Sequence, residues 1–214
     1  MTGFKEKIAK FLVRFFIKLN NFSYEKISKY AVILEGGLHP KHRLMKYYDF
    51  FLKNIGENDN VLDIGCGNGF VSNKISEKAG TVTGIDINIK NIETANRLYK
   101  KENINFVAGD VTEYEFSQNF QVAVLSNVLE HIKDRVPFLK KISKKVDKIL
   151  IRIPTIERGW LDLYKKELGV EYRLDKTHYI EHTKEEFLNE IKNADLKVES
   201  LEVNFGEIWA VVSS

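Results

Sequence analysis

The chain has 214 residues, 43% of them apolar and 29% charged, with a net charge of +3. That length gives one domain a sizeable core, and the balance excludes a disordered chain. No apolar run approaches the ~18–20 residues that span a bilayer, and the lone Cys66 excludes an internal disulfide framework and agrees with a reducing compartment.

Charge is unevenly spread. Residues 1–55 carry eleven Lys/Arg against four Asp/Glu, and eleven of the 25 aromatic residues. They read as an N-terminal helical extension on a core domain of residues 56–214. Phe4, Ile8, Phe11, Leu12, Phe15, Phe16 and Leu19 recur at helical spacing and predict a helix over 4–19. Lys5, Lys7, Lys10 and Arg14 interrupt any signal-peptide core, so a cytoplasmic location is expected. A basic, Phe-rich helix also suits peripheral contact with anionic lipid, although a packing or dimer face is the commoner use. A second helix is predicted at about 23–34. Gly36, Gly37 and Pro40 then break the chain, and a third helix with Leu44, Tyr47, Tyr48 and Phe51 leads to Gly56.

From Asn60 onward strands and helices alternate. Strands are predicted at 60–65, 81–86, 104–108, 121–126 and 148–153, with helices near 69–79, 89–101 and 134–145. This alternation gives an α/β fold, a parallel doubly wound sheet with helices on both faces. Residues 154–182 read as an insertion. Thr183 to Glu186 form a capping box that opens a further helix. Leu196–Asn204 and Glu207–Ser213, joined at Phe205-Gly206, then form an antiparallel hairpin. The whole is a seven-stranded sheet, five strands parallel and two in the hairpin.

The most informative stretch is Val61-Leu-Asp63-Ile-Gly65-Cys-Gly67-Asn-Gly69-Phe70. A strand runs into a glycine-rich turn, and an acid, Asp86, ends the next strand. Glycines let backbone approach a ligand closely, and such an acid accepts from a ribose diol. The spacing is G-x-G-x-G, not the G-x-G-x-x-G of a pyrophosphate site, and the carboxylate of Asp63 suits an ammonium better than a phosphate. Cys66 within the loop reads as a small spacer, not a nucleophile.

Four segments in order resemble the class I S-adenosylmethionine-dependent methyltransferases, particularly members acting on small molecules and in glycan pathways. They are Val61–Phe70, Gly84-Ile85-Asp86, Ala108-Gly109-Asp110-Val111 and Asn127-Val-Leu-Glu130-His131. The resemblance covers roughly residues 40–213 and implies a Rossmann-like fold with S-adenosyl-L-methionine as cofactor. Gly65, Gly67 and Gly69 would then shape the loop, Asp63 would help to hold the ammonium, and Asp86 would take the ribose hydroxyls. Ile87 would pack on the adenine, Asp110 and the Val111 amide would read its edge, and Ser126 and Asn127 would line the path to the methyl group.

Transfer to a hydroxyl needs a positioned base, and histidine suits neutral pH. His131, at the mouth of the fourth strand, is the first candidate. His178, in the aromatic insertion with Trp160, Tyr172 and Asp175, is the second, with loop-stapling as its other use. His182 reads as structural. Some quinone and small-RNA end methyltransferases that resemble this segment bind a divalent ion through an added glutamate, for which Asn127 stands here, so no metal is expected. The N-terminal helices are expected to fold over the cofactor pocket, bringing His39, His42 and Arg43 toward the cofactor's carboxylate or the substrate.

The expected function is O-methylation of a small-molecule or glycan- or lipid-linked hydroxyl. The alternatives are a cofactor-binding but non-catalytic or membrane-associated partner protein, and an NAD-dependent reductase suggested by Tyr172 and Lys176. The second is weakened because that pair falls in the insertion. Nucleic acid is not expected as a partner, since the basic excess is confined to an aromatic-rich helical end.

Overall fold

The computed structural model describes residues 2–214, which divide into two compact units. The first runs up to Lys46 and includes Leu163–Tyr172; the second holds Tyr47–Asp162 and Arg173–Ser214.

In the first unit α1 (Thr2–Leu34) is one helix of 33 residues, where the sequence predicts two segments. Nothing between 19 and 24 breaks it, because Asn21 sends its side-chain amide to the Glu171 carbonyl at 2.8 Å and leaves its own backbone helical. Gly36 (φ 70°) and Gly37 (φ 104°) end the run as predicted. The predicted third helix is cut in two: α2 (Lys41–Met45) stops at left-handed Lys46 (φ 46°), and α3 (Tyr48–Lys53) starts beyond it in the second unit.

The second unit is built on a seven-stranded sheet. Its strands are β1 (Asn60–Ile64), β2 (Thr81–Asp86), β3 (Ile104–Ala108), β4 (Phe120–Ser126), β5 (Val146–Pro154), β6 (Lys197–Asn204) and β7 (Glu207–Ser213). Their order is β3-β2-β1-β4-β5-β7-β6, with β1 to β5 parallel and β7 antiparallel to both β5 and β6. Helices α4 (Phe70–Ile75), α5 (Ile89–Leu98) and α6 (Arg135–Ser143) make the crossovers, α7 (Trp160–Glu167) lies in the insertion with Leu163–Glu167 belonging to the first unit, and α8 (Lys184–Asn193) precedes the hairpin. The Thr183–Glu186 capping box forms as the sequence predicts, with the hydroxyl accepting from the Glu186 amide and the carboxylate from the Thr183 amide.

Val61, Leu62 and Ile64 of β1 and Val122 to Leu125 of β4 are buried, so these central strands read as near-continuous apolar runs, broken in β1 by Asp63. The direction of winding reverses between β1 and β4. In a sheet of this kind the carboxyl ends of the strands at such a reversal are the usual place for a ligand.

Candidate cofactor and catalytic site

The loop after β1 takes a left-handed backbone at Gly65, Gly67 and Gly69 (φ 64°, 55° and 83°), but the glycines serve different ends. A Cβ on Gly65 would lie 2.6 Å from Val128, so this residue lets the loop close against the end of β4. A Cβ on Gly69 would lie 2.8 Å from Phe106 and 2.9 Å from Ala95, so that glycine seats the start of α4. Gly67 alone of the three faces open space, with nothing within 4 Å. It is the position at which a ligand can lie against bare backbone.

The loop is tied to β2 through Asp86, whose Oδ2 accepts the Gly67 amide at 2.9 Å. Oδ1 accepts the Asn88 amide at 2.8 Å and the Asn91 side chain at 3.2 Å. A carboxylate has about four lone-pair positions, so three internal donors leave room for one hydroxyl. Two ribose hydroxyls would require one donor to withdraw, and Asn91 makes the longest of the three bonds. The next side chain, Ile87, is 72% exposed beside this carboxylate and offers an uncovered apolar face.

Asp63 lies behind the loop, 1% exposed, with the Ser72 hydroxyl of α4 donating to its Oδ2 at 2.5 Å. Burial pushes its pKa up to about 7, the Ser72 hydrogen bond opposes the shift, and the charge of Asp86 adds to it. A cation on the far side of the loop would relieve that strain. Cys66 is buried against Ile92, Ala95 and Phe106, and burial raises its thiol far above the ordinary range. It is a spacer, as the sequence suggests.

Beyond β3, the exposed Asp110 turns its Oδ1 to the Thr112 amide and hydroxyl (2.9 and 2.7 Å); Val111 packs into the core. Beyond β4, the Ser126 hydroxyl accepts from Arg152 at 3.2 Å. Asn127 is left-handed (φ 59°), its amide donates to the Arg152 carbonyl, and its side-chain oxygen is buried without a partner. The open Gly67 backbone, bare Ile87, exposed Asp110 and cation-seeking Asp63 together fit a nucleoside with an amino-acid tail.

A second group of side chains meets at the end of β4. Glu130 is fully buried with neither carboxylate oxygen partnered, and burial raises its pKa to about 7. The His131 and His178 rings meet edge to face, centroids 4.6 Å apart, and each of the three residues offers a ligand atom within 4.8 Å of the others. Hydrogen bonds set both tautomers. Thr177 donates its hydroxyl to Asp175 at 2.7 Å, so the same oxygen accepts from His131 Nδ1 at 3.0 Å. His178 Nδ1 lies 3.2 Å from Glu181, which stays ionised because hydrogen bonds from His178 and the Leu174 amide, with the Arg158 charge, outweigh its burial. Each ring is thus held through Nδ1, which leaves Nε2 outside these bonds. Burial, and then the neighbouring His178, lowers the His131 pKa and holds it neutral at pH 7.

Several supporting residues carry no sequence signal of their own. Arg152 of β5 and Glu207 of β7 form a buried two-pronged ion pair (2.5 Å for both bonds), with Tyr47 stacked 3.8 Å from the guanidinium and Trp209 donating to Glu207. Only the sheet brings these residues together. His182, which the sequence reads as structural, is fully buried, with its Nε2 3.1 Å from Glu190 and its Nδ1 without a partner. In the first unit, Arg43 pairs with Glu35 and His39 with Ser28 and the Lys41 amide.

Comparison with known proteins agrees with this geometry. Residues 61–148 match the family model described as a methyltransferase domain. A ubiquinone biosynthesis O-methyltransferase of Rickettsia bellii is 26% identical over 151 residues, 66% of this chain and 62% of that protein. Its namesake in Pelagibacter ubique is 26% identical over 201 residues, 83% of each chain. The chain thus spans about three-fifths of the Rickettsia protein's length. Among solved structures, the N-methyltransferase NodS of Bradyrhizobium japonicum, in complex with S-adenosyl-L-homocysteine, superposes with a TM-score of 0.60 at 16% identity, over 81% of this chain and 86% of that one.

Proposed function

We propose that the chain, whose residues 61–148 match a methyltransferase-domain model, is a class I S-adenosylmethionine-dependent methyltransferase that transfers a methyl group to the hydroxyl of a small molecule. The observation that carries this reading is the tautomer of His131. A neutral ring with Nδ1 spoken for and Nε2 bare, at the strand end against which the glycine loop closes, is set to accept a hydroxyl proton.

The roles follow from the positions. Gly67 gives the cofactor's amino-acid tail a bare backbone, and Asp63 acts on its ammonium from behind the loop. Asp86 holds the ribose, Ile87 covers one adenine face, and Asp110 and the Val111 amide meet the adenine edge. Bound S-adenosylmethionine would supply a methyl group on a sulfonium that leaves as a neutral thioether. Asn127, with a buried side-chain oxygen that lacks a partner, would line the path to the methyl group, and His131 draws the acceptor's proton while the Thr177–Asp175 pair steadies the imidazolium. Tyr179, 61% exposed next to His178, offers a ring against which an apolar or aromatic acceptor can lie.

The test is calorimetry with S-adenosylmethionine, followed by labelled methyl transfer to phenolic and sugar hydroxyl acceptors. Micromolar binding with transfer abolished by His131→Ala is expected. Absence of cofactor binding would overturn the reading.

One observation favours a second reading of the same cluster. Two imidazoles, each anchored through Nδ1, and an unpartnered carboxylate form a donor set for a divalent ion. Glu130, His131 and His178 would then hold a metal that orients the acceptor oxygen. Chelation decides between the two: the base reading expects full activity in EDTA, the metal reading activity lost in EDTA and restored by Mg²⁺, Mn²⁺ or Zn²⁺.

A further inference from the structure

Helix α1 turns its large apolar side chains outward. Phe4, Phe11, Phe15, Phe16, Leu19 and Phe22 are 72, 68, 50, 58, 47 and 56% exposed. At ~100° per residue, Phe4, Ile8, Phe11, Phe15, Leu19 and Phe22 fall in one stripe less than ~100° wide. The helix's contacts within its own unit come from another side. Ile17 is buried, Asn21 bonds to the Glu171 carbonyl and Arg14 to the Leu168 carbonyl, all roughly opposite or well away from the stripe. Soluble helices bury their aromatic face and expose their small or polar one; this helix does the reverse over about five turns.

The margins of the stripe are basic. Lys7 and Lys18 flank one edge and Lys5 the other, and Glu6 is the one acid between residues 4 and 22. A second copy of the same helix would bring like charges together along this rim. An anionic bilayer surface would neutralise them and take the Phe side chains below its headgroups, where the lysine stems can reach back to phosphate. The helix is not apolar enough to cross a membrane. It is suited to lie flat upon one.

We propose that α1 docks this protein on an anionic lipid bilayer, with the Phe4–Phe22 stripe inserted and Lys5, Lys7 and Lys18 at the headgroups. The proposal is independent of the catalytic reading. It places the enzyme at the phase in which a lipid-soluble acceptor would be dissolved.

Co-sedimentation of the full chain with vesicles tests it, using neutral phosphatidylcholine and phosphatidylcholine with 30 mol% phosphatidylglycerol. The wild-type chain should pellet with the anionic vesicles at least tenfold more strongly than with the neutral ones. The pair Phe11→Glu with Phe15→Glu should lose at least tenfold of that partition, as should the triple change of Lys5, Lys7 and Lys18 to Gln, at about one order of magnitude or more for three charges. Both variants alter exposed side chains, and calorimetry with S-adenosylmethionine shows that the second unit is intact. Failure of the wild type to bind either vesicle overturns the proposal, as does undiminished binding by the Phe pair. A concentration-dependent dimer that the Phe pair abolishes, without vesicle binding, overturns it in favour of a second copy.

Discussion

The Thr177 hydroxyl lies 3.0 Å from His131 Nδ1 and 2.7 Å from Asp175, so a loop residue of the insertion fixes the proton on a histidine at the end of β4. Asp175 is held ionised, first by the Thr177 amide and then by the Thr177 hydroxyl. The chain Asp175–Thr177–His131 leaves Nε2 as the basic nitrogen.

Removing the ring and removing its support should therefore differ in size. His131→Ala should lower kcat by about 10²–10⁴-fold, the usual worth of a positioned base, with cofactor affinity within about twofold of wild type. Thr177→Val keeps the ring but releases its tautomer, and should cost about tenfold in kcat with KM for the cofactor unchanged. Steady-state kinetics on both variants, with calorimetry for the cofactor, checks this. Equal losses in the two would mean that Thr177 does more than orient the ring.

The glycines at 67 and 69 should separate binding from folding. Gly67→Ala places its methyl in open space at a cost of ~1–2 kcal/mol for the left-handed backbone, and puts that methyl where the cofactor's tail is proposed to lie. It should fold, with cofactor affinity down at least tenfold. Gly69→Ala adds the same backbone strain to contacts of 2.8 and 2.9 Å with Phe106 and Ala95, and should lower stability by about 2–4 kcal/mol. Thermal melts alongside calorimetry decide it. A Gly67→Ala protein that binds normally would remove the loop from the cofactor site.

Much of this architecture is legible in the sequence because its signals are local. The strand starts at Asn60, Thr81 and Ile104, the capping box at Thr183 and the turn at Phe205-Gly206 follow from neighbouring residues alone. The α1 junction, read as a gap between helices at 4–19 and about 23–34, is helical, and there the Asn21 side chain donates to the Glu171 carbonyl, 150 positions away. Lys46 likewise shows nothing in its residue type that demands a left-handed turn. Within the site, the motif residues are visible one by one, but Arg152 and Glu207 meet through antiparallel pairing of β5 with β7. The support of His131 by Thr177 likewise crosses 46 positions. Pairings set by tertiary closure leave no periodicity to read.

That β5–β7 pair supports a further test. Glu207→Gln leaves the Arg152 guanidinium, 2% exposed, without its counter-charge while Tyr47 still covers it. Breaking one side of a buried ion pair costs about 3–5 kcal/mol, so urea denaturation should shift by that amount. The double variant Arg152→Met with Glu207→Leu removes both charges and should recover much of the loss. A single variant as stable as wild type would mean that water reaches the guanidinium.

Asp63 should trade stability against binding. Its folded pKa is raised from 3.8 to about 7, so the fold favours the protonated acid. The associated stability is fully present below about pH 4, declines as pH rises, and is lost once pH passes about 7. Asp63→Asn keeps a neutral acceptor for the Ser72 hydroxyl and has no proton to lose. Without cofactor, the variant should match wild type near pH 4 and exceed it by up to ~4 kcal/mol at pH 8, the limit set by a shift of about three units. Its affinity for S-adenosylmethionine should fall about tenfold to a hundredfold, because the anion proposed to act on the ammonium is gone. Thermal melts from pH 4 to 8 and calorimetry at pH 8 read the two effects separately. A variant that is less stable than wild type at pH 8 would show that the buried carboxylate is well accommodated, and unchanged affinity would show that the ammonium lies elsewhere.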